Sequence, residues 1–147
     1  MSALVYEDTP IYDRSLKIIL AGILAATFIV AIILIREELE AALIMFGLTV
    51  FDALLFKAIL PQRFQIFEDK LVIVLGGPFA IRIPLSNIAD ARSASGRKAF
   101  VYWGIRFATS TRNVVEIVRK KGLNIVISPT NEDMFLEQLN QACSKFP

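Results

Sequence analysis

Residues 16–60 read LKIILAGILAATFIVAIILIREELEAALIMFGLTVFDALLFKAIL. Two apolar stretches, 16–35 and 41–60, stand back to back with only the charged linker Arg36-Glu37-Glu38-Leu39-Glu40 between them. A helix needs roughly 20 mostly apolar residues, at a rise of about 1.5 Å each, to cross about 30 Å of hydrocarbon, and both stretches meet that length. The sequence therefore predicts a transmembrane helical hairpin over 16–60, preceded by an N-terminal tail over 1–15 and followed by a domain over 61–147.

The flanks set the expected orientation. Arg14 and Lys17 precede or open the first span, Arg36 stands alone in the linker, and Lys57, Arg63 and Lys70 follow the second span. Lys and Arg favour the cytoplasmic side, so tail and domain are both expected in the cytoplasm of an integral cell membrane protein. Glu7, Asp8 and Asp13 ahead of a long apolar run differ from the basic start and short core of a cleaved signal, which predicts a retained anchor. Within the hairpin, the small pairs Ala21 with Ala25 and Gly22 with Ala26 offer a close-packing face that Thr49 and Ala53 answer.

Composition agrees with this division. The chain has 147 residues, 55% of them hydrophobic, and a mean hydropathy of +0.57, with the apolar excess in the first 60 positions. Residues 1–60 carry four Lys+Arg against seven Asp+Glu, residues 61–129 eleven against four, and residues 130–147 one against three. The middle of the chain is thus strongly basic beside a membrane, where anionic headgroups are the nearest opposite charge. No histidine and a single cysteine, Cys143, leave the usual zinc, haem and iron-sulfur ligand sets and histidine-dependent nucleophiles without their residues. No cofactor and no metal are expected, and an enzyme is not.

Past Pro61 the apolar period changes from helical to alternating. Strands are predicted over 63–67, 70–75, 79–83, 88–93, 102–109, 114–120 and 123–128, with Glu68-Asp69, Gly76-Gly77-Pro78 and Lys121-Gly122 as tight turns. That order suggests an antiparallel meander. Ser128-Pro129-Thr130-Asn131-Glu132 then supplies a stop, a cap and first-turn acids, and Met134, Phe135, Leu136, Leu139 and Ala142 follow at helical spacing. Burial of Phe135, Leu136 and Leu139 over the open end of a small barrel would contribute roughly 1.5 to 3 kcal/mol each.

Two runs carry a family resemblance. PQRFQIFEDKLVIVLGGPFAIRIPLSNI resembles the opening of bacterial membrane-anchored PH-like (pleckstrin-homology-like) proteins, in which a helix hairpin leads straight into the first strand. VVEIVRKKGLNIVISPTNEDMFLEQL is similar to that family's last strand hairpin and the start of its closing helix. The resemblance covers about residues 41–142. It implies an α+β chain: a helix hairpin, then a PH-like seven-stranded antiparallel β-barrel or sandwich capped by a C-terminal helix. It brings no catalytic residues.

Four groups of side chains are functional candidates. Arg97 and Lys98, with Arg92, occupy a polar connection, and Arg119, Lys120 and Lys121 the last hairpin; both groups read either as lipid-headgroup contacts or as a solvated positive surface. Asp52, a little past the middle of the second span with Thr49 one turn back, is either a contact for another membrane protein or an acid satisfied within the hairpin. Phe100, Tyr102, Trp103 and Phe107 read as a core face more readily than as a base-stacking platform. Asp90 and Glu116 are too isolated for paired-carboxylate chemistry and are expected in solvent or ion pairs. The leading expectation is a non-enzymatic scaffold at the cytoplasmic membrane face, binding another membrane or membrane-associated protein or itself. The alternative is sensing of anionic membrane lipids; nucleic acid is not an expected partner.

Overall fold

A computed structural model describes residues 2–94 and 104–146. Helix α1 runs over Arg14–Leu34 and α2 over Leu39–Ile59, 21 residues each. Both are long and apolar enough to cross a membrane. Their seam is spaced by threes and fours: Leu20, Leu24, Thr27, Ala31 and Leu34 of α1 face Ala42, Met45, Thr49, Asp52 and Phe56 of α2. The Thr49 hydroxyl lies 3.1 Å from that of Thr27, and the rings of Phe28 and Phe46 meet edge to face at 5.6 Å. The expected small-residue face is not this seam. Ala21, Gly22, Ala25 and Ala26 are exposed, because bulky Leu20 and Leu24 already fill the space between the helices. Ile18, Ile44 and Leu54 are each more than 60% exposed, so the hairpin leaves its apolar flanks uncovered.

Among the described residues, the rest of the chain forms two four-stranded sheets. The first contains β1 (Leu4–Asp8), β2 (Pro61–Phe67), β3 (Lys70–Leu75) and β4 (Ala80–Pro84), antiparallel and in chain order. A 3-10 turn, Leu85–Asn87, leads into the second sheet. Its strands β5 (Ile88–Ala94), β6 (Ile105–Phe107), β7 (Val114–Arg119) and β8 (Ile125–Ile127) lie in the order β5-β7-β8-β6. This corrects the expected seven-stranded antiparallel barrel on two points. The tail over 1–15 contributes the additional strand β1, and β6 pairs with β8 in parallel. The parallel pair arises because residues 108–113 carry the chain from β6 past β8 to β7, which is antiparallel to β8. The strand expected over 102–109 begins outside the described residues, and of its described part only Ile105–Phe107 is strand, as β6.

Alternation puts Phe64, Ile66, Leu71, Ile73 and Ile83 of the first sheet on one side of the core and Val115, Ile117, Ile125 and Ile127 of the second on the other. Helix α3 (Glu132–Cys143) closes it with Phe135, Leu139 and Ala142. Asn131 caps α3 by accepting the Met134 N–H at 3.2 Å, and Glu132 and Asp133 complement its positive end. Leu136 is only partly buried and Met134 is 42% exposed, so the buried stripe is narrower than the apolar one in the sequence. Phe135 meets Phe64 at 6.2 Å and Tyr6 at 6.4 Å, both edge to face. Phe135→Ala should therefore cost about 3–5 kcal/mol. Thermal unfolding of the detergent-solubilised chain would register this, and a wild-type midpoint would show that α3 does not complete the core.

Candidate interface at the base of the hairpin

β1 ends just before α1, β2 starts just after α2, and the two strands are hydrogen-bonded neighbours, with Tyr6 opposite Ile66 and Asp8 opposite Phe64. The chain thus leaves the sheet and returns to it at adjacent places. The connecting residues are stitched down on both sides. Ile11 N–H donates to the Ser128 carbonyl at 3.0 Å and Thr130 N–H to the Thr9 carbonyl at 2.9 Å. The Asp8 carboxylate accepts the Asn131 N–H at 2.9 Å. The Tyr12 hydroxyl donates to the Pro61 carbonyl, linking the start of α1 to the start of β2.

Asp13 makes the densest set of contacts. Its carboxylate accepts from the Ser110 hydroxyl at 2.6 Å, the Thr111 N–H at 2.8 Å and the Thr111 hydroxyl at 3.2 Å, while its own N–H donates to the Thr109 carbonyl at 3.0 Å. The Ser110 and Thr111 hydrogen bonds hold the Asp13 carboxyl below its ordinary range, with Arg112 adding a smaller pull. On the other helix, Gly76 N–H donates to the Leu60 carbonyl at 3.0 Å. A Cβ on Gly76 would stand 1.8 Å from the Lys57 carbonyl oxygen. The turn between β3 and β4 can pass beneath the last turn of α2 only because this position has no side chain.

Asp13→Ala should lower stability by on the order of 1–2 kcal/mol, since it removes a charged acceptor from donors that half-exposed water replaces only in part. The carboxyl titrates lower when folded than its ordinary 3.8. Its contribution is therefore complete above that ordinary value and is lost as the pH falls through the depressed folded one. Melting of wild type and variant against pH should show a constant difference from neutrality to about pH 4 that then closes; a difference surviving strong acid would refute this role.

The two ends of the β domain differ in charge and in distance from the helices. At the hairpin end Arg14, Lys17, Lys57, Arg63, Arg106 and Arg112 are all exposed, and Arg63 lies 3.7 Å from Glu7. At the other end the Leu85 N–H reaches the Asp69 carbonyl, and Asn87 clamps the last hairpin. The Asn87 backbone carbonyl accepts the Lys120 N–H at 2.8 Å, and its side chain exchanges hydrogen bonds with Lys121 at 2.9 and 3.1 Å. Six strand steps of about 3.3 Å each put these ends about 20 Å apart.

The candidate residues are therefore divided. Arg119, Lys120 and Lys121 lie together at the end remote from the helices, with both lysines exposed. Arg119 is folded back onto its own turn, donating to the Leu123 carbonyl at 3.3 Å and lying over Gly122, whose φ is +96°. Arg97 and Lys98 lie outside the described residues, as do Phe100, Tyr102 and Trp103. Arg92 pairs with buried Glu116 at 2.9 Å in the second sheet, and Asp90 is exposed. Thr49 and Asp52 are both half-buried on the hairpin seam, the Thr49 hydroxyl being 2.9 Å from the Met45 carbonyl as well as near Thr27. Burial pushes the Cys143 thiol up, away from a reactive thiolate.

The sequence reading missed the basic group around the hairpin base. Arg14, Lys17, Lys57 and Arg63 counted there only for orientation, and Arg106 and Arg112 join them solely through the path of residues 108–113. A family model described as Bacterial PH domain matches residues 62–143, from the second residue of β2 to the last of α3. No curated protein and no solved structure matches the chain. PH-like domains are in general modules that bind lipids or proteins. With more than half of its length matched, and with strands and closing helix in the corresponding segment, the chain belongs to the bacterial PH domain family.

Proposed function

We propose that this protein is a membrane-anchored, non-enzymatic binding module, with α1 and α2 crossing the bilayer and the β domain held at the cytoplasmic face to engage a protein partner or a second copy. The pairing of β1 with β2 carries the reading. Strands on either side of the hairpin belong to one sheet, so the chain must enter and leave the bilayer on the same side.

Charge supports the orientation. Among the described residues six basic ones lie exposed at the hairpin end, whereas Arg36 shares the opposite linker with Glu37, Glu38 and Glu40. Phe79, 62% exposed and beside the last turn of α2 through Gly77, suits the headgroup level, where aromatic side chains concentrate. The remote end suits a protein contact. Lys120 and Lys121 stand about 20 Å from the helix ends by strand rise, beyond the roughly 8 Å over which a charged surface is felt at physiological salt. Arg97 and Lys98 remain candidates for the lipid alternative.

The full chain should stay in the membrane pellet after alkaline carbonate. Reporters at its two termini should both be accessible to protease in sealed inverted vesicles and both protected in spheroplasts. Termini on opposite faces, or release by carbonate, would overturn the proposal.

A further inference from the structure

The outer face of the first sheet bears a shallow groove of about 490 Å³. Phe67, Val72, Val74 and Ala80 give it an apolar floor, and Lys70 and Arg82 stand in its lining. Val72 alternates with the core residues Leu71 and Ile73, so the groove faces away from the core. On another side of the domain α3 presents Asp133, Met134 and Glu137, all exposed, while its Phe135 and Leu139 fill the core. We infer that the groove receives the α3 surface of a second copy standing in the same membrane, with Met134 on the apolar floor, Asp133 against Arg82 and Glu137 against Lys70. The contact joins two different surfaces, so copies assemble head to tail. The inference rests on the membrane-anchored reading above and names the second copy as the partner.

Charge and height favour that occupant. Among the described residues, Arg82, Asp133 and Glu137 have no ion pair. Lys70 lies 3.6 Å from its chain neighbour Asp69 and 5.5 Å from the centre of the Phe67 ring. Glu7, the acid nearest the groove along the sheet, accepts from Gln65 at 2.6 Å and lies 3.7 Å from Arg63. Helix α3 starts level with Phe64, since the Asn131 N–H donates to the Asp8 carboxylate and Asp8 pairs with Phe64. It then runs beside β1, where Gln138 and Gln141 share a cavity with Val5. From that level Asp133 and Glu137 are about 3 and 9 Å away by helix rise. Arg82, opposite Val72 and Gln65, and Lys70, opposite Pro84, are about 3 and 10 Å away by strand rise. Copies anchored in one bilayer share its normal, so each acid meets its cation at the same depth. An acidic peptide free in solution would match the charge, but nothing would set its depth.

The test cross-links full-length chains in their membranes with a short bismaleimide, after Cys143→Ser has removed the native thiol. Chains carrying both Gln65→Cys, in the groove lining, and Met134→Cys should give ladders of three or more copies, because a head-to-tail contact does not stop at two. Either cysteine alone should give several-fold less product, since like surfaces do not meet. Within the two-cysteine chain, Lys70→Glu or Glu137→Lys should abolish the ladder, and the two together should restore it. No ladder in the two-cysteine chain, a ladder that survives both single charge reversals, or a paired reversal that fails to restore it would overturn the inference. So would efficient dimers from Met134→Cys alone, which would mean a symmetric contact through α3. The carbonate assay separates this from failure of the anchor: chains that remain membrane-bound but give no ladder refute the contact alone.

Discussion

Hydrogen bonding between β1 and β2 is the constraint from which the rest of the architecture follows. The partners are separated by the 52 residues between Asp8 and Pro61, and a flexible loop of that length would oppose their meeting through closure entropy. The hairpin removes most of that penalty. Two antiparallel helices pack about 8–10 Å apart, so their free ends already lie near the spacing of neighbouring strands. Lipid would strengthen the effect, because apolar flanks such as Ile18, Ile44 and Leu54 stay covered only while both helices stand in the bilayer. Sheet and hairpin thus each hold the other's ends in place.

That mutual restraint gives the module a fixed attitude. Tyr12 with Pro61 and Gly76 with Leu60 tie the helix ends to β2 and to the β3–β4 turn, while Asp13 ties α1 to the loop ahead of β7 in the other sheet. A domain on a flexible linker would sample many orientations and present its charges on average. Here one end, rich in Arg and Lys, is held at the level of the helix termini, and the other, with Lys120 and Lys121, is held away from it. The same excess positive charge is therefore divided between two surfaces by its place in the fold.

Much of this was legible in the sequence because it rests on local pattern. The lengths of the apolar runs placed both helices within two residues of their observed limits, and alternation with Gly, Pro and Asp turns placed β2, β3, β5, β7 and α3 closely. What failed depends on distant partners. Leu4-Val5-Tyr6-Glu7-Asp8 is too mixed in polarity to announce a strand, and only its partner across the hairpin makes it one. Parallel pairing of β6 with β8 has no local signature either. The hairpin-base group was hidden for the same reason: Arg106 lies about 90 positions from Leu16 and shares a cavity with it only when Thr109, Ser110 and Thr111 dock on Asp13.

The placement of β1 also alters what counts as the domain. Residues 61–147 contain the whole family match, but without β1 the core loses Tyr6, which packs on Phe135, and β2 acquires an open edge of unpaired backbone groups. The Asp8 carboxylate that receives the Asn131 N–H at the start of α3 would be lost as well. Cutting at Pro61 therefore removes an edge strand and a contact at the cap of the closing helix, not merely an anchor. The cooperative unit is the β domain together with the strand that precedes the hairpin, and the hairpin is an insertion within that unit. An insertion of this kind can transmit force: displacement of α1 relative to α2 must act on the β1–β2 ladder and, through Asp13, on the loop leading into β7.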